Sequence, residues 1–505
     1  MADGTDYYFK ISKQMGISYV SSFLIIIFQL LLIVILTRKL TIQEFGVYSL
    51  LSAALAILNS FLRFGIESYI VTKIPGLDQE KRVRTIITIL FFFSIFLIVC
   101  SLLLFLFKEI IINTLNIQDY LSIWILFVPL AITLTFFDII TYYLLSIKKI
   151  VISSVLRFLC QCLWVTVLMV FFFTIDKFSL KLVFVPWLLN VAGISGISLF
   201  FVREEILDFI KNSLKFDWLR LKEILIFSLP LVIVTIFTLT GEYTNRFLIN
   251  HFLGKTEVAW YSLATSLMGF ALFIPYIIQG VLQPYFNERW NLNQDSSLLF
   301  NIMVKYSLIF VLPAVTGIFV LREEIILLLS NSEYLPAAPL IAALLVFPIF
   351  NILSLLFTQT LYLRDMGKYL LLINGLALIV DITFNLIFLP RMGAISAAYG
   401  VILSSGLIFG AMVILRPKEI LFEWDYLKLI PIVIASLAMG VIISPINPES
   451  SLTKILVILL GAGIYLTFLF LFRVFGREEI ELIRRIYQNI KFQTTFKKDI
   501  SEGTG

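Results

Sequence analysis

Charge is what this chain has least of. Only 14% of its 505 residues are Asp, Glu, Lys or Arg, against 60% hydrophobic, and the mean hydropathy is +0.99. A soluble protein of this size needs far more polar surface to stay dissolved, so a water-bounded globular fold is excluded and the bilayer is the solvent. Histidine is reduced to His251, which excludes a histidine-based metal centre or a Ser-His-Asp triad. Cysteine is sparse too: Cys100, Cys160 and Cys162 all lie in apolar runs, and the last two read as helix filling, since a zinc or redox site wants partners the chain lacks. Long polar stretches are missing as well. No loop exceeds roughly twenty residues, which leaves no room for a folded extramembrane domain. No enzyme activity, cofactor or metal is therefore expected. Gly254-Lys255-Thr256 imitates the end of a phosphate-binding loop, but Ile249 stands where the first glycine should be.

What is present is a succession of apolar runs. A helix needs about 20 such residues to cross the hydrocarbon, and that ruler gives about fourteen spans. They fall near 17–37, 46–72, 86–107, 121–147, 151–175, 180–202, 223–250, 258–285, 298–320, 336–363, 369–389, 393–415, 427–445 and 452–473. The first is too long for a signal-peptide core and lacks a small-residue cleavage site, so it is expected to be retained. An even count puts both termini on one side. The net charge of +6 then has a membrane reading rather than a nucleic-acid one. The side with both termini, whose loops hold Lys81, Lys149, Arg203 and Lys368, collects about 27 Lys and Arg, against about 9 on the side of Arg38, Lys108 and Lys255. Both termini are thus expected in the cytoplasm, in a multi-pass protein of the plasma or inner membrane. In the tail from 476 to 505, Ile480, Ile483, Tyr487 and Ile490 recur at helical spacing beside Arg484, Arg485 and Lys491. Such a helix suits the anionic inner surface and its lipids.

The chain also repeats itself. Leu40, Glu44, Tyr48, Ser49 and Leu50 recur at one constant offset as Leu253, Glu257, Tyr261, Ser262 and Leu263. Each Glu falls in the first turn of the next helix, where the macrodipole favours an anion, and Thr41 with Glu44 forms a capping box. Pro129 leading to Lys148-Lys149 is matched by Pro348 leading to Gly367-Lys368. The expected architecture is all-α. Residues 1–222 and 223–422 form two six-helix lobes related by a pseudo-two-fold along the membrane normal. Residues 423–475 add two helices, and 476–505 the basic tail. Two facing lobes enclose a cleft, the usual place for a transported substrate.

Three segments carry a resemblance. They are Arg38-Lys39-Leu40 through Glu44-Phe45-Gly46-Val47-Tyr48-Ser49; Asn245-Arg246-Phe247-Leu248-Ile249 leading to Phe252-Leu253-Gly254 and Tyr261-Ser262; and Asn385-Leu386-Ile387-Phe388-Leu389-Pro390-Arg391-Met392-Gly393-Ala394 with Ala397-Ala398-Tyr399-Gly400. Together they span most of residues 1–415 and resemble the O-antigen flippase type of the multidrug/oligosaccharidyl-lipid/polysaccharide (MOP) exporter superfamily. The resemblance implies that a lipid-linked oligosaccharide crosses the membrane by alternating access, with polysaccharide assembly proteins as possible partners. One departure stands out: the family often has Asp where this chain has Asn245. Drug/cation antiporters of the superfamily typically carry an acidic residue in the first helix, and peptidoglycan-precursor flippases carry arginines there. Ile17 to Thr37 holds no charge at all. A membrane-embedded sugar polymerase would need a sizeable outer loop or a carboxylate-rich motif, and neither is present.

Ionisable groups at depth cost several kcal/mol and usually face a cavity. The candidates are Arg63 and Glu67, Asp138, Arg157, Glu242 and Arg246, and Asp381. Arg63 with Glu67 and Glu242 with Arg246 stand at i,i+4 spacing, the signature of helical ion pairs. Arg63, Arg246 and Arg157 are the candidates for an anionic pyrophosphate-sugar headgroup, because a planar fork binds phosphate bidentately. Arg157 is also close enough to the inner face to snorkel. Glu67, Asp138, Glu242 and Asp381 are the candidates for ion coupling or charge pairing. Asp381 is nearest the midplane and has no evident partner in its own helix.

Overall fold

The computed structural model describes residues 2–176, 178–205, 207, 217–292, 294–364, 366–416, 426–446 and 448–475. Among them there is no strand. The amino-terminal part runs α1 (Ala2–Lys39), α2 (Ile42–Arg63), α3 (Ile66–Lys73), α4 (Gln79–Leu106), α5 (Lys108–Thr114), α6 (Leu121–Ser146), α7 (Ile150–Thr174) and α8 (Leu180–Phe200). There follow α9 (Trp218–Phe252), α10 (Lys255–Asn291), α11 (Ser297–Val320), α12 (Arg322–Leu329), α13 (Ala338–Leu344), α14 (Phe347–Tyr362), α15 (Gly367–Met392), α16 (Ile395–Leu415), α17 (Tyr426–Ile443) and α18 (Ser451–Leu471). Among the described residues twelve segments are long and apolar enough to cross a membrane, and Leu429–Ile443 is a shorter apolar helix. The expected seventh span lies within α9, which is 35 residues long. The tail expected to lie on the inner surface falls outside the described residues.

Local signals explain where the helices start. Thr41 caps α2, accepting from the Glu44 amide at 3.3 Å while Glu44 Oε2 accepts from the Thr41 amide at 3.0 Å. Glu257 occupies the first turn of α10. Two expected spans are not single helices. The one over 46–72 breaks after Arg63, because Phe64 (φ 52°) and Gly65 (φ 65°) are both left-handed. A left-handed residue cannot continue a right-handed helix. Glycine at 65 also permits close approach to α9: a Cβ there would stand 2.9 Å from the Ser228 carbonyl oxygen. The span over 336–363 is split into a 3-10 turn (Ser332–Ala337), α13 and α14, with Pro348 at the start of α14. Its repeat counterpart Pro129 lies inside the unbroken α6.

The described residues pack as two compact units, 2–269 with Ile326–Arg416, and Phe270–Ile325 with 426–475. In the second, α17 packs on α11 and α18 around Ile309, Ile432, Ala435, Met439 and Leu469. Tyr465 donates to the Ile309 carbonyl at 2.7 Å, and Lys454 pairs with Glu324 at 3.1 Å.

The first unit holds both copies of the repeated segment and brings them together. The Ser49 and Ser262 hydroxyls, 213 positions apart, hydrogen-bond to each other. Equivalent residues of a two-fold pair meet only on the axis, so this contact marks where the pseudo-two-fold passes. Beside it Gly46 presses on the Lys255 carbonyl, where a Cβ would overlap that oxygen. The flanking contacts repeat in kind. Thr37 Oγ1 donates to the Leu329 carbonyl at 3.1 Å, and its counterpart Asn250 donates Nδ2 to the Leu115 carbonyl at 2.6 Å. Loops expected on one face also meet one another. Lys39 donates to the Ile175 carbonyl and Lys255 pairs with Asp119 at 3.8 Å. Lys149 donates to the Phe201 carbonyl and Tyr143 to Glu205, joining loops of the other face.

Candidate functional site

Two polar clusters lie in the first unit, and each is built by side chains spaced one helical turn apart. On α2, Asn59 and Arg63 share a face. On α6, Thr135, Asp138 and Tyr142 do the same. Thr135 Oγ1 donates to Asn59 Oδ1 at 2.9 Å, and Asn59 Nδ2 donates to Asp138 Oδ2 at 2.9 Å. Arg63 Nη1 stands 3.6 Å from that same carboxylate oxygen and 3.4 Å from the Tyr142 hydroxyl. From α7, Arg157 lies over the Tyr142 ring, 4.5 Å from its centroid, and the Arg63 guanidinium is 5.9 Å from the same centroid. Two cations thus share one aromatic face system, a favourable arrangement for each taken singly, with one carboxylate beside them.

This corrects one expectation. Arg63 does not pair with Glu67: the break at Phe64 and Gly65 ends the helix before Glu67, so the i,i+4 geometry is never formed, and Asp138 takes its place. One Glu67 carboxylate oxygen is buried without a hydrogen-bond partner. Arg157 rests its guanidinium on the Tyr142 ring. Its Nε and Nη2 are both buried, and neither has a partner.

The second cluster joins α9, α10, α15 and α16. Asn385 Nδ2 donates to Asp381 Oδ1 at 3.0 Å and to Asn245 Oδ1 at 2.9 Å, while Asn245 Nδ2 donates to the Tyr261 hydroxyl at 3.4 Å. Asp381 does have a partner in its own helix, one turn on. All of this is deep: Asn245 and Asn385 are 0% exposed and Asp381 3%. Glycine at 400 makes room, since a Cβ there would overlap Asp381 Oδ1 and stand 2.7 Å from Asn385 Nδ2. The Asn385 Oδ1 atom is buried and unpartnered.

Arg246, next in sequence to Asn245, lies over the Tyr243 ring at 5.2 Å and reaches Thr265 Oγ1 at 3.4 Å. It forms no ion pair with Glu242, which is exposed. That second i,i+4 pair is therefore also corrected. Asn59, Thr135 and Tyr142 join the clusters without standing out in the sequence, whereas Tyr261 comes from the repeated segment. Their spacing is nonetheless readable: Asn59 precedes Arg63 by four, and Tyr142 follows Asp138 by four. Among the described residues no group of three or more His, Cys, Asp or Glu side chains could hold a metal ion.

Comparison with known proteins places this geometry. The model of a family described as "Polysaccharide biosynthesis protein" matches residues 35–339. No curated protein sequence matches the chain. Among solved structures, the lipid II flippase MurJ in an inward closed conformation is similar with a TM-score of 0.73 and 16% identity, covering 90% of this chain and 98% of that one. An inward-facing multidrug-resistance MATE transporter of the MOP superfamily follows at 0.64 and 12%, covering 80% and 94%. An outward-facing MATE transporter stands at 0.55 and 12%, covering 83% and 96%. These likenesses show a shared all-helical, two-lobe fold.

Proposed function

We infer, for a chain that belongs to the polysaccharide biosynthesis protein family and has the fold of membrane exporters, that it flips a lipid-linked oligosaccharide from the cytoplasmic to the outer leaflet. One observation carries the reading. Arg157 keeps two N–H groups buried and unbonded beside Arg63. Unpaired buried donors cost about 1–3 kcal/mol each, more when charged, and an anionic ligand offsets that cost. A polyprenyl-phosphate-type carrier supplies such an anion. Arg63 and Arg157 are the headgroup contacts in this reading, with Arg246 as a further one.

The lobes 1–222 and 223–422 rock about the Ser49–Ser262 contact, and 423–475 lie outside the repeat. Both termini are cytoplasmic in the plasma or inner membrane, so that contact closes the outer side. Asp381, with the free Asn385 oxygen beside it, is the group that couples a cation or proton to the cycle. A lipid II substrate, as for MurJ, is the second reading on the strength of that structural likeness. The charge-free first helix speaks against it.

The test is flipping by purified protein in proteoliposomes, read as the outer-leaflet fraction of lipid-linked oligosaccharide with no nucleotide present. Wild type should flip, and Arg63→Ala with Arg157→Ala should lower the rate at least about tenfold at equal folded protein. Strict dependence on ATP, or an undiminished double variant, overturns the reading.

A further inference from the structure

Resting on that headgroup reading, the geometry points to Asp138 as an internal counter-anion: it occupies Arg63 in the empty protein, gives way to a phosphate, and so keeps the lipid releasable.

The two arginines are held in different ways. On Arg157 the free atoms are Nε and Nη2, which form one edge of the guanidinium. Their two N–H bonds run parallel and match two oxygens of a phosphate. Nothing in the protein uses that edge, and the Tyr142 ring at 4.5 Å holds the plane in place. It is the half of the site at which a phosphate displaces no protein contact.

Arg63 is occupied, but loosely. Its Nη1 is shared between Asp138 at 3.6 Å and Tyr142 at 3.4 Å, while a good N–H to carboxylate bond measures about 2.7–2.9 Å. Its Nε is buried and makes no hydrogen bond at all. Asp138 approaches through one oxygen only, and that oxygen already accepts the shorter bond from Asn59. The Asn59–Thr135 pair therefore holds the carboxylate in place whether or not Arg63 stays with it. A second phosphate that brings two oxygens to the Arg63 fork replaces one long contact with two short ones. Asp138 keeps its bond from Asn59 and remains close by as a like charge.

That like charge sets the affinity. A flippase that held its headgroup with two unopposed arginines would bind tightly and release slowly, since tighter binding appears mainly as slower dissociation. With Asp138 present, each binding event displaces an anion and each release is assisted by one. The arrangement also favours a diphosphate over a monophosphate, because only the former has a phosphate for each arginine. Glu67, which lies within electrostatic reach of Arg63, opposes the second phosphate in the same sense from the far side of the helix break.

The experiment uses the full chain in lipid nanodiscs, with farnesyl diphosphate, farnesyl monophosphate and farnesol as probes of binding. Wild type should prefer the diphosphate to the monophosphate, and farnesol should report the tail alone. Asp138→Asn keeps the Asn59 contact and removes the charge. It should tighten diphosphate binding about tenfold while flipping slows by a similar factor, and leave farnesol unchanged. Asp138→Glu keeps the competitor and should stay near wild type. Arg157→Lys loses the open edge, so the preference for diphosphate should vanish. If Asp138→Asn does not fold, Asp138→Thr removes the charge and retains an acceptor for Asn59. A neutral variant that melts like wild type and binds diphosphate no more tightly, or more weakly, overturns the counter-anion role while the headgroup site stands. No diphosphate binding by wild type overturns both.

Discussion

The cluster on α2, α6 and α7 and the cluster on α9, α10, α15 and α16 come from the two halves of one repeat, and their networks leave different atoms unsatisfied, although an acceptor, Glu67 Oε2, is also buried unpartnered in the first half and a donor, Arg246 Nε, in the second. The first leaves donors: Arg157 Nε and Nη2 and Arg63 Nε. The second leaves acceptors: Asn385 Oδ1, beside an Asp381 carboxylate that receives one amide bond. Buried donors wait for an anion and buried acceptors for a cation or a proton. The comparison also separates stability from function. The acceptor cluster is internally bonded and almost fully buried, so it ties α9, α10 and α15 together, with Gly400 of α16 packed against it. Arg157 in the donor cluster makes no hydrogen bond at its free edge that a substitution could break.

The largest effect is expected where the acceptor cluster is tightest. Gly400→Ala places a methyl on Asp381 Oδ1 and against Asn385 Nδ2. Overpacking of this kind costs roughly 1–3 kcal/mol, and here it also parts the Asp381–Asn385 bond. The expected outcome is a clearly lowered melting temperature of the purified protein together with flipping reduced more than about tenfold. A variant that melts and flips like wild type would show that the cluster is not the rigid, functional element that the contrast requires.

Arg157→Gln tests the other side. Because the Nε–Nη2 edge has no protein partner and only the contact with the Tyr142 ring is lost, melting should fall less than for Gly400→Ala. Flipping should nevertheless fall about tenfold. If stability drops as it does for Gly400→Ala, Arg157 is a structural cation on Tyr142 and the donor–acceptor contrast fails.

Much of this contrast is legible in the amino-acid sequence, and what is not has a common cause. Apolar run length and the charge bias of the loops place the helices, and the offset of 213 between Ser49 and Ser262 announces the two-fold contact. Partner choice goes astray wherever spacing alone decides it. Four residues mean one turn only inside a continuous helix, and Gly65 is the visible warning that Arg63 and Glu67 do not share one. For Asp381 the error runs the other way. Asn385 stands one turn on, inside the third family-like segment, but a criterion of opposite charge is blind to an amide. Tyr142 leaves no trace of its own, because tyrosines are frequent in apolar helices and only the fold shows which one two arginines share.

The smallest effect separates the two carboxylates that spacing assigns to arginines. Glu67 has a buried, unpartnered oxygen on the far side of the helix break, whereas Glu242 is exposed and unpaired with Arg246. A carboxylate facing lipid at depth is costly, so an exposed Glu242 within a span faces water, where neutralising it changes little. Glu242→Gln should leave melting unaltered and flipping within about twofold of wild type, since substitutions away from buried polar contacts stay within about ±0.5 kcal/mol. Glu67→Gln acts next to Arg63 and removes a nearby opposing charge, so it should tighten diphosphate binding measurably, though by less than Asp138→Asn, whose carboxylate touches the guanidinium. The two variants are compared by diphosphate affinity in the same nanodisc assay. Should Glu242→Gln shift that affinity as strongly as Glu67→Gln, the anion-binding region extends to α9 and Arg246, and the donor cluster is not confined to the amino-terminal half.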